Sequence, residues 1–576
     1  GLCEKVCRRK VKMTFFPIFN WLRTYRRADF NGDVFAGIIT AILLVPQGIA
    51  FALLAGLPPQ FGLYASILPP LIYAVLGTSR TLSVGPVSIA AIMIASALQL
   101  PDIRALGNPL QSVVILSAES GVILLMMAVF RMGGLVNFIS HPVLTGFTSG
   151  AALLIIGSQL PQTLGLHSPT CGVDIICYQL YLQDTNFSTL AISGLALGLL
   201  LFFGKPLSWL LSAFGVSPSL MTAMSKCGSL ITVAFTTFAV GHWDLTANHV
   251  AVVGEISAGL PHLNVDFMDI AKWKVLAPSA CFIALIAYVE SVAIAKVVAH
   301  LRNEKIDPNQ ELIALSFANF ATAISGGMPV AGGFSRTMVN FSAGARTQIS
   351  MVIAALILAI AVVLFTQWFA NIPKAALAVI ILMAVLPLVK FKSILHTWHY
   401  DRGDGIAELA TLVSVLILGI EEGITLGIFL TFASYLRKAS HPHIAVVGRL
   451  PNTKHYRNIK RHQVETWEQL LLMRIDENIT FANMNFIEDF IEAQLRDAPK
   501  VKHIVLIFTS VSDIDTTALE ALEQLNQSLK NIGITLNFAE VKGFLLDKVQ
   551  KSDLFTQLNG QLFFDAEQAV STLNAL

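Results

Sequence analysis

Glu290 and Arg336 are the residues least in keeping with their surroundings: one lies in FIALIAYVESVAIAKVVA, the other in GGFSRTMVN. An ionisable side chain inside long apolar sequence is costly and is functional by default. A lone carboxylate there prefers its neutral form unless paired, which suits a proton carrier, whereas a guanidinium attracts an anion. The alternative is a fixed Glu290–Arg336 ion pair that holds two helices together. Gln47, in VPQGIAFALLAGLPPQFGLYAS, is an uncharged candidate for hydrogen-bonding a substrate, or else an amide satisfied by a neighbouring helix.

Two interrupted segments accompany these residues. In TLSVGPVSIAAIMIAS, the β-favouring stretch Thr81 to Val84 leads to Gly85 and Pro86 and then to a helical run, with Pro86 expected in the first helical turn. In ISGGMPVAGGFSRTMVNFSAGA, Gly326, Gly327, Pro329, Gly332 and Gly333 precede a short helix opening at about Ser335. Broken backbone at membrane depth is tolerated only where protein or a cavity surrounds it, and matching breaks in two halves of a transporter point to its substrate site. Two helix N-termini facing one another, each with free N–H groups and about half a positive charge, would form an anion site. The plainer reading is that Gly and Pro only kink two packed helices.

The elements that must hold these segments are apolar helices. Of the 576 residues, 54% are hydrophobic and 13% charged, against about a quarter charged in soluble proteins. Apolar stretches near the length of a bilayer crossing fall at about 34–55, 60–77, 111–130, 136–157, 189–203, 229–241, 275–298, 311–325, 350–369, 374–388, 405–420 and 423–436. The short runs at 86–99 and 335–343 raise the count to fourteen, with the breaks at spans three and ten of a seven-plus-seven inverted repeat. Lys and Arg gather on alternate loops, as cytoplasmic loops require, from Arg23, Arg26 and Arg27 to Arg437 and Lys438; Lys272 and Lys274 depart from the pattern. Both termini are therefore expected in the cytoplasm. The start of the chain is polar and basic and shows no cleavable signal peptide.

These stretches, together with FISHPVLTGFTSGAALLIIGSQL, VVGEISAGLP and NQELIALSFANF, resemble the SulP family of anion transporters, also called solute carrier family 26, over nearly the whole length. The resemblance implies a core domain that carries substrate and a gate domain against which it slides, with the site on spans one, three, eight and ten. Carried over, Gln47, Phe51, Val87, Ser88, Ser335 and Arg336 line that site, and Glu290 couples protons. Animal exchangers of the family commonly lack a carboxylate at the position of Glu290, so its presence favours proton symport. A homodimer is also implied.

From about residue 440 the pattern turns to short β-branched runs, IAVVGRL, LLMRI, HIVLIF and ITLNF, between amphipathic helices at 483–496, 516–531, 541–550 and 566–574. This alternation predicts a small α/β sheet, and HIVLIFTSVSDIDTTALEAL resembles the STAS domain. At the loop Asp513 to Thr517, a phosphorylated Thr516 or Thr517 and a plain helix cap by Asp515 or Thr516 compete.

The expected organisation is a cytoplasmic segment 1–33, a transmembrane transport domain 34–438 and a cytoplasmic STAS domain 439–576. The expected function is secondary active, proton-coupled symport of sulfate or a similar oxyanion by an elevator motion; the alternative is a bicarbonate, chloride or dicarboxylate exchanger or uniporter. The setting is the plasma or bacterial inner membrane, with a regulatory partner for the STAS domain. No phosphate loop, metal cluster, nucleophile elbow or nucleic-acid stripe is visible, so no enzyme, cofactor, metal or nucleic acid is expected. Asn186 begins a glycosylation sequon, and Cys171 and Cys177 share a loop in which they could pair.

Overall fold

In the computed structural model, residues 16–574 are described apart from 135–138, 167–184, 214, 216–220, 222–223, 226, 257–258, 264 and 551. Cys171 and Cys177 lie outside the described residues. The chain divides into two compact units, Gly1–Ile428 and Phe429–Leu576.

The first unit is helical, and each of the fourteen apolar stretches contains a helix. Those that build the candidate site are α2 (Arg27–Leu54), α3 (Ser88–Gln99), α4 (Ile270–Leu301), α5 (Pro308–Ser325), α6 (Phe334–Ser342) and α7 (Ile349–Leu364), with a short α1 (Ile18–Leu22) before them. Among the described residues, six helices are long and apolar enough to cross a bilayer, or seven if Phe187–Phe202 and Lys205–Ala213, bent by 44°, count as one span. The other stretches are helical but shorter, interrupted or more polar. Two of them, α3 and α6, are the runs after the Gly/Pro breaks.

Local chemistry sets the helix ends. At the start of α2 the backbone N–H of Arg26 donates to the Asp29 carboxylate at 3.0 Å, the second half of a capping box. For α5, the Asp307 side chain caps the N–H groups of Asn309 and Gln310, Pro308 occupies the first turn, and Gly326 closes the helix at φ 70°. That left-handed position is the one at which a glycine avoids the Cβ penalty. Asn186 caps Phe187–Phe202 and its amide nitrogen donates to the Asn248 carbonyl at 2.9 Å.

Two fully buried carboxylates tie distant segments together. Asp33, on α2, accepts from the N–H groups of Arg346 (2.6 Å) and Thr347 (2.9 Å), from the Thr347 hydroxyl (2.5 Å) and from Tyr25 (3.1 Å). Glu311, on α5, accepts from the Tyr73 hydroxyl (2.7 Å), from the Thr78 N–H (2.8 Å) and hydroxyl (2.5 Å), and from the Ser79 N–H (3.3 Å). Glu311 thus fixes the loop that enters the first broken segment.

The second unit is a six-stranded sheet. After β1 (Val84–Gly85) and β2 (Ala331–Gly332) of the first unit, its strands are β3 (Ile444–Arg449), β4 (Tyr456–Asn458), β5 (Leu470–Ile475), β6 (His503–Ile507), β7 (Thr535–Ala539) and β8 (Leu562–Phe563), in the order β4-β3-β5-β6-β7-β8. β3 pairs antiparallel with β4 and β5, and the remaining pairs are parallel. Alternation along the strands gives the sheet two apolar faces. Leu471, Met473, Ile504 and Leu506 meet the helices Met484–Asp497, Thr516–Asn531 and Gly543–Val549, whereas Leu470, Leu472, Val505 and Ile507 meet Ala566–Leu573. Asp515 caps Thr516–Asn531 through the Ala518 N–H at 2.8 Å and leaves Thr516 and Thr517 exposed.

Replacing Glu311 by Ala removes the acceptor of four donors, those on Tyr73 and Ser79 buried and the two on Thr78 partly so. It is expected to destabilise the protein by about 2–4 kcal/mol, read as a lowered Tm of the full chain in detergent. A Tm within a degree of the parent would show that the four bonds do not hold the loop.

Candidate functional site

The two broken segments meet. β1 and β2 pair antiparallel, Val84 opposite Gly332 and Gly85 opposite Ala331. The Gly333 N–H donates to the Ser83 carbonyl at 2.9 Å, and the Ser83 N–H donates to the Thr337 hydroxyl at 3.0 Å. Asn340, farther along α6, donates to the Thr81 carbonyl at 3.0 Å. Gly332 donates its N–H to the Ser291 hydroxyl at 2.7 Å, which brings in α4 next to Glu290. These bonds join the two strands to each other, to α4 and to α6, beside the first turns of the two helices.

Both first turns are open. Val87 is the N-cap of α3 and Gly333 that of α6, each with extended backbone and no side-chain cap. The leading N–H groups of each helix are therefore without an intrahelical acceptor. Pro86, expected within the first turn of α3, instead precedes the N-cap. Gly85 is held extended by its pairing with Ala331, so the helix begins only at Ser88.

Arg336 belongs to the first turn of α6 and is 2% exposed. Its Nη1 donates to the Pro86 carbonyl at 2.6 Å, so a side chain from the second broken segment closes on the backbone of the first. Nε and Nη2 are buried without a hydrogen-bond partner among the described residues. The guanidinium fits because Gly333 lacks a side chain: a Cβ there would stand 2.8 Å from Nη2.

Glu290, on α4, has its Oε2 buried and without a hydrogen-bond partner among the described residues. No ion pair joins it to Arg336 among the described residues, so the alternative of a fixed contact pair is not what the side chains form. Val87, Ala90, Ala287 and Ala331 form a small apolar wall between α3, α4 and β2. Gln47 and Phe51 are buried on α2, which packs against both α3 and α6. Ser88 is half-buried and Ser335 exposed. Pro329 and Gly332 are buried between α5 and α6, where Asn319 accepts the Val330 N–H at 3.0 Å.

The residue types the sequence reading passed over are the small polar ones. Ser291, Thr337, Asn340 and Asn319 satisfy the broken backbone, and nothing in their spacing announces which carbonyl or N–H each will reach. Two further buried carboxylates were also passed over, Glu119 on Pro109–Val129 and Glu408 on Arg402–Ile417, with unpartnered oxygens among the described residues. Their signal was available, since each is an acid within an apolar stretch.

Comparison with known proteins adds the family. Residues 30–411 match the Sulfate permease family and residues 461–569 the STAS domain. Sulfate transporter 4.1, chloroplastic, of Arabidopsis thaliana is 31% identical over 96% of this chain and 81% of its own length. High affinity sulfate transporter 2 of Stylosanthes hamata is 30% identical over 97% of this chain and 86% of its own. In structure, the murine Solute Carrier 26 family member A9 anion transporter in the inward-facing state has a TM-score of 0.86 at 21% identity, covering 100% of this chain and 98% of that one. The transmembrane domain of the cyanobacterial bicarbonate transporter BicA has a TM-score of 0.58 at 20% identity, covering 71% of this chain and 98% of that one. At those identities the two structures speak to the fold. With an apolar helical unit, a second α/β unit and these matches, the chain belongs to the sulfate permease family, a family of anion transporters and not of enzymes, and ends in a STAS domain.

Proposed function

We propose that this protein is a secondary active transporter that carries sulfate together with protons, and that the anion sits between the first turns of α3 and α6 against Arg336. The observation that carries the reading is the meeting of two uncapped helix N-termini at one buried guanidinium with unused donors. The curated relatives matched over most of the chain are named as sulfate transporters, which favours sulfate as the anion.

Charge arithmetic supports proton coupling through Glu290. Two helix ends supply about half a positive charge each and Arg336 one more, roughly +2 in all, a match for a sulfate dianion. An ionised Glu290 reduces this to about +1 and competes with the anion, whereas a protonated Glu290 leaves it whole. Anion and proton then load together and leave together. Gln47, Phe51, Val87, Ser88 and Ser335 complete the lining, with Gly85, Pro86, Pro329, Gly332 and Gly333 shaping the two breaks.

The same reading gives fourteen spans in two inverted halves, of which the antiparallel β1–β2 pair is the meeting point, and an elevator-like movement of the unit holding both breaks. It places the segment 1–33, the transport domain 34–438 and the STAS domain 439–576 in a homodimer in the plasma or bacterial inner membrane, with both termini cytoplasmic.

Sulfate uptake into proteoliposomes tests the binding reading. Arg336→Gln is expected to lower uptake at least tenfold, since a charged hydrogen-bonding partner of the anion contributes about 1.5–3 kcal/mol; Arg336→Lys recovers only part, for want of the planar fork. Gly333→Ala is expected to impair uptake in a folded protein, because the added methyl would displace the guanidinium. Wild-type sulfate uptake in Arg336→Gln would refute the site. For coupling, Glu290→Gln is expected to abolish the response of uptake to an imposed pH gradient while sulfate exchange persists. Gradient-driven accumulation that survives this change refutes coupling through Glu290, whereas a parent protein indifferent to the pH gradient is an exchanger or uniporter, whose anion uptake competition by bicarbonate, chloride and dicarboxylates would identify.

A further inference from the structure

A second basic site lies at the ends of the long helices, away from the two open first turns. A cavity of about 530 Å³ is lined by Trp21, Tyr25, Arg80, Arg302, Glu304 and Arg346, among others, a size within the roughly 300–1,000 Å³ of small-ligand sites. Its walls come from the segment between α1 and α2, from the residues just after α4, and from the loops at the outer ends of both broken segments.

The three guanidiniums differ in how far the fold occupies them. Arg302 is the most engaged: it donates to the Ala345 carbonyl and, at 3.4 Å, to the Arg346 carbonyl, and it lies 4.9 Å from the centre of the Phe341 ring. Arg80 faces Glu304 at 3.7 Å. The Arg346 side chain is exposed and has no hydrogen bond or ion pair among the described residues. The two lining carboxylates already have partners, Glu304 in Arg80 and Asp29 in the Arg26 N–H. Three guanidiniums here face Asp29, Glu304 and, behind Tyr25 and Thr347, the buried Asp33, so what the cavity offers an anion is the unengaged donor fork of Arg346 and not an excess of charge.

Its surroundings say what kind of anion fits. The cavity sits where two apolar bilayer-length helices end, α2 at Arg27 and α4 at Leu301. Phe16, Phe19, Leu22 and Phe30 are exposed beside Arg23, Arg26 and Arg27. Exposed apolar side chains interleaved with arginines are the signature of a segment lying in the headgroup layer, where anionic lipids are attracted by basic residues. Guanidiniums in a concave site recognise phosphate by paired N–H donors.

We propose that this cavity binds the phosphate of an acidic phospholipid headgroup. Held there, the headgroup bridges Arg80 and Arg346. It thereby ties the segment leading into β1 to the one following α6, and α1 lies against the membrane surface.

The test uses the full chain in neutral detergent, titrated with phosphatidylglycerol, phosphatidylcholine or inorganic phosphate and read by native mass spectrometry and Tm. Phosphatidylglycerol is expected to remain bound and to raise Tm, and phosphatidylcholine to do neither. The double variant R80Q/R346Q is expected to weaken phosphatidylglycerol binding at least tenfold, with Tm in detergent alone unchanged. Because the Arg346 side chain supports no other group, R346Q by itself serves if the double variant does not fold, and a several-fold weakening is then expected. Equal binding of phosphatidylcholine, or phosphatidylglycerol binding indifferent to R346Q, overturns the site. Inorganic phosphate that displaces the lipid at equal concentration, with the same sensitivity to R346Q, overturns the lipid assignment in favour of a soluble phosphate.

Discussion

Interrupting a helix inside a membrane releases backbone donors and acceptors that lipid cannot satisfy, and most of the first unit's polar chemistry answers that constraint. β1 and β2 satisfy one another. Ser291 takes the Gly332 N–H, Asn319 both accepts from and donates to Val330, and Gln348 donates to the carbonyls of Ser79 and Leu82. Once these are counted, the donors left over around the two breaks include the leading N–H groups of α3 and α6, the two unpartnered guanidinium nitrogens of Arg336 and the Ser83 hydroxyl. At the two breaks, the donors left unpaired are ones that can receive an anion.

The same accounting sorts the buried acids, which their residue type does not. Asp33 and Glu311 each accept four hydrogen bonds and hold loops against helices. Glu290, Glu119 and Glu408 keep unpartnered oxygens among the described residues, and of the three only Glu290 lies beside the paired strands. A buried ionised group gains from its partners only if they satisfy it fully, so Asp33 and Glu311 are read as structural. A carboxylate whose partners do not satisfy it is the kind that can change protonation state.

The apolar stretches were legible in the sequence because lipid imposes a length and a composition that no loop mimics, and all fourteen contain helices. Alternation of the four main strands in the second unit was legible for the same reason. The two edge strands, Tyr456–Asn458 and Leu562–Phe563, were missed: three and two residues carry no period. The helix starting at Ser88 rather than at Pro86 was missed because the cause, pairing of Gly85 with Ala331, lies far away in the chain. Arg336 stood out as a charge in apolar sequence, yet its partner did not. That partner is the Pro86 carbonyl, and a backbone carbonyl has no letter of its own.

That contact has a mechanical consequence. The guanidinium comes from the second broken segment and its acceptor from the first, and strand pairing together with the bonds from Thr337 and Asn340 joins the same two segments again. Separating them would break several buried hydrogen bonds at once, each costing about 1–3 kcal/mol where no water can replace it. Under the transport reading proposed above, these bonds favour a conformational change that carries both breaks as one body. On that reading, a boundary where packing is apolar can slide at lower cost, since sliding there leaves few polar groups unpaired.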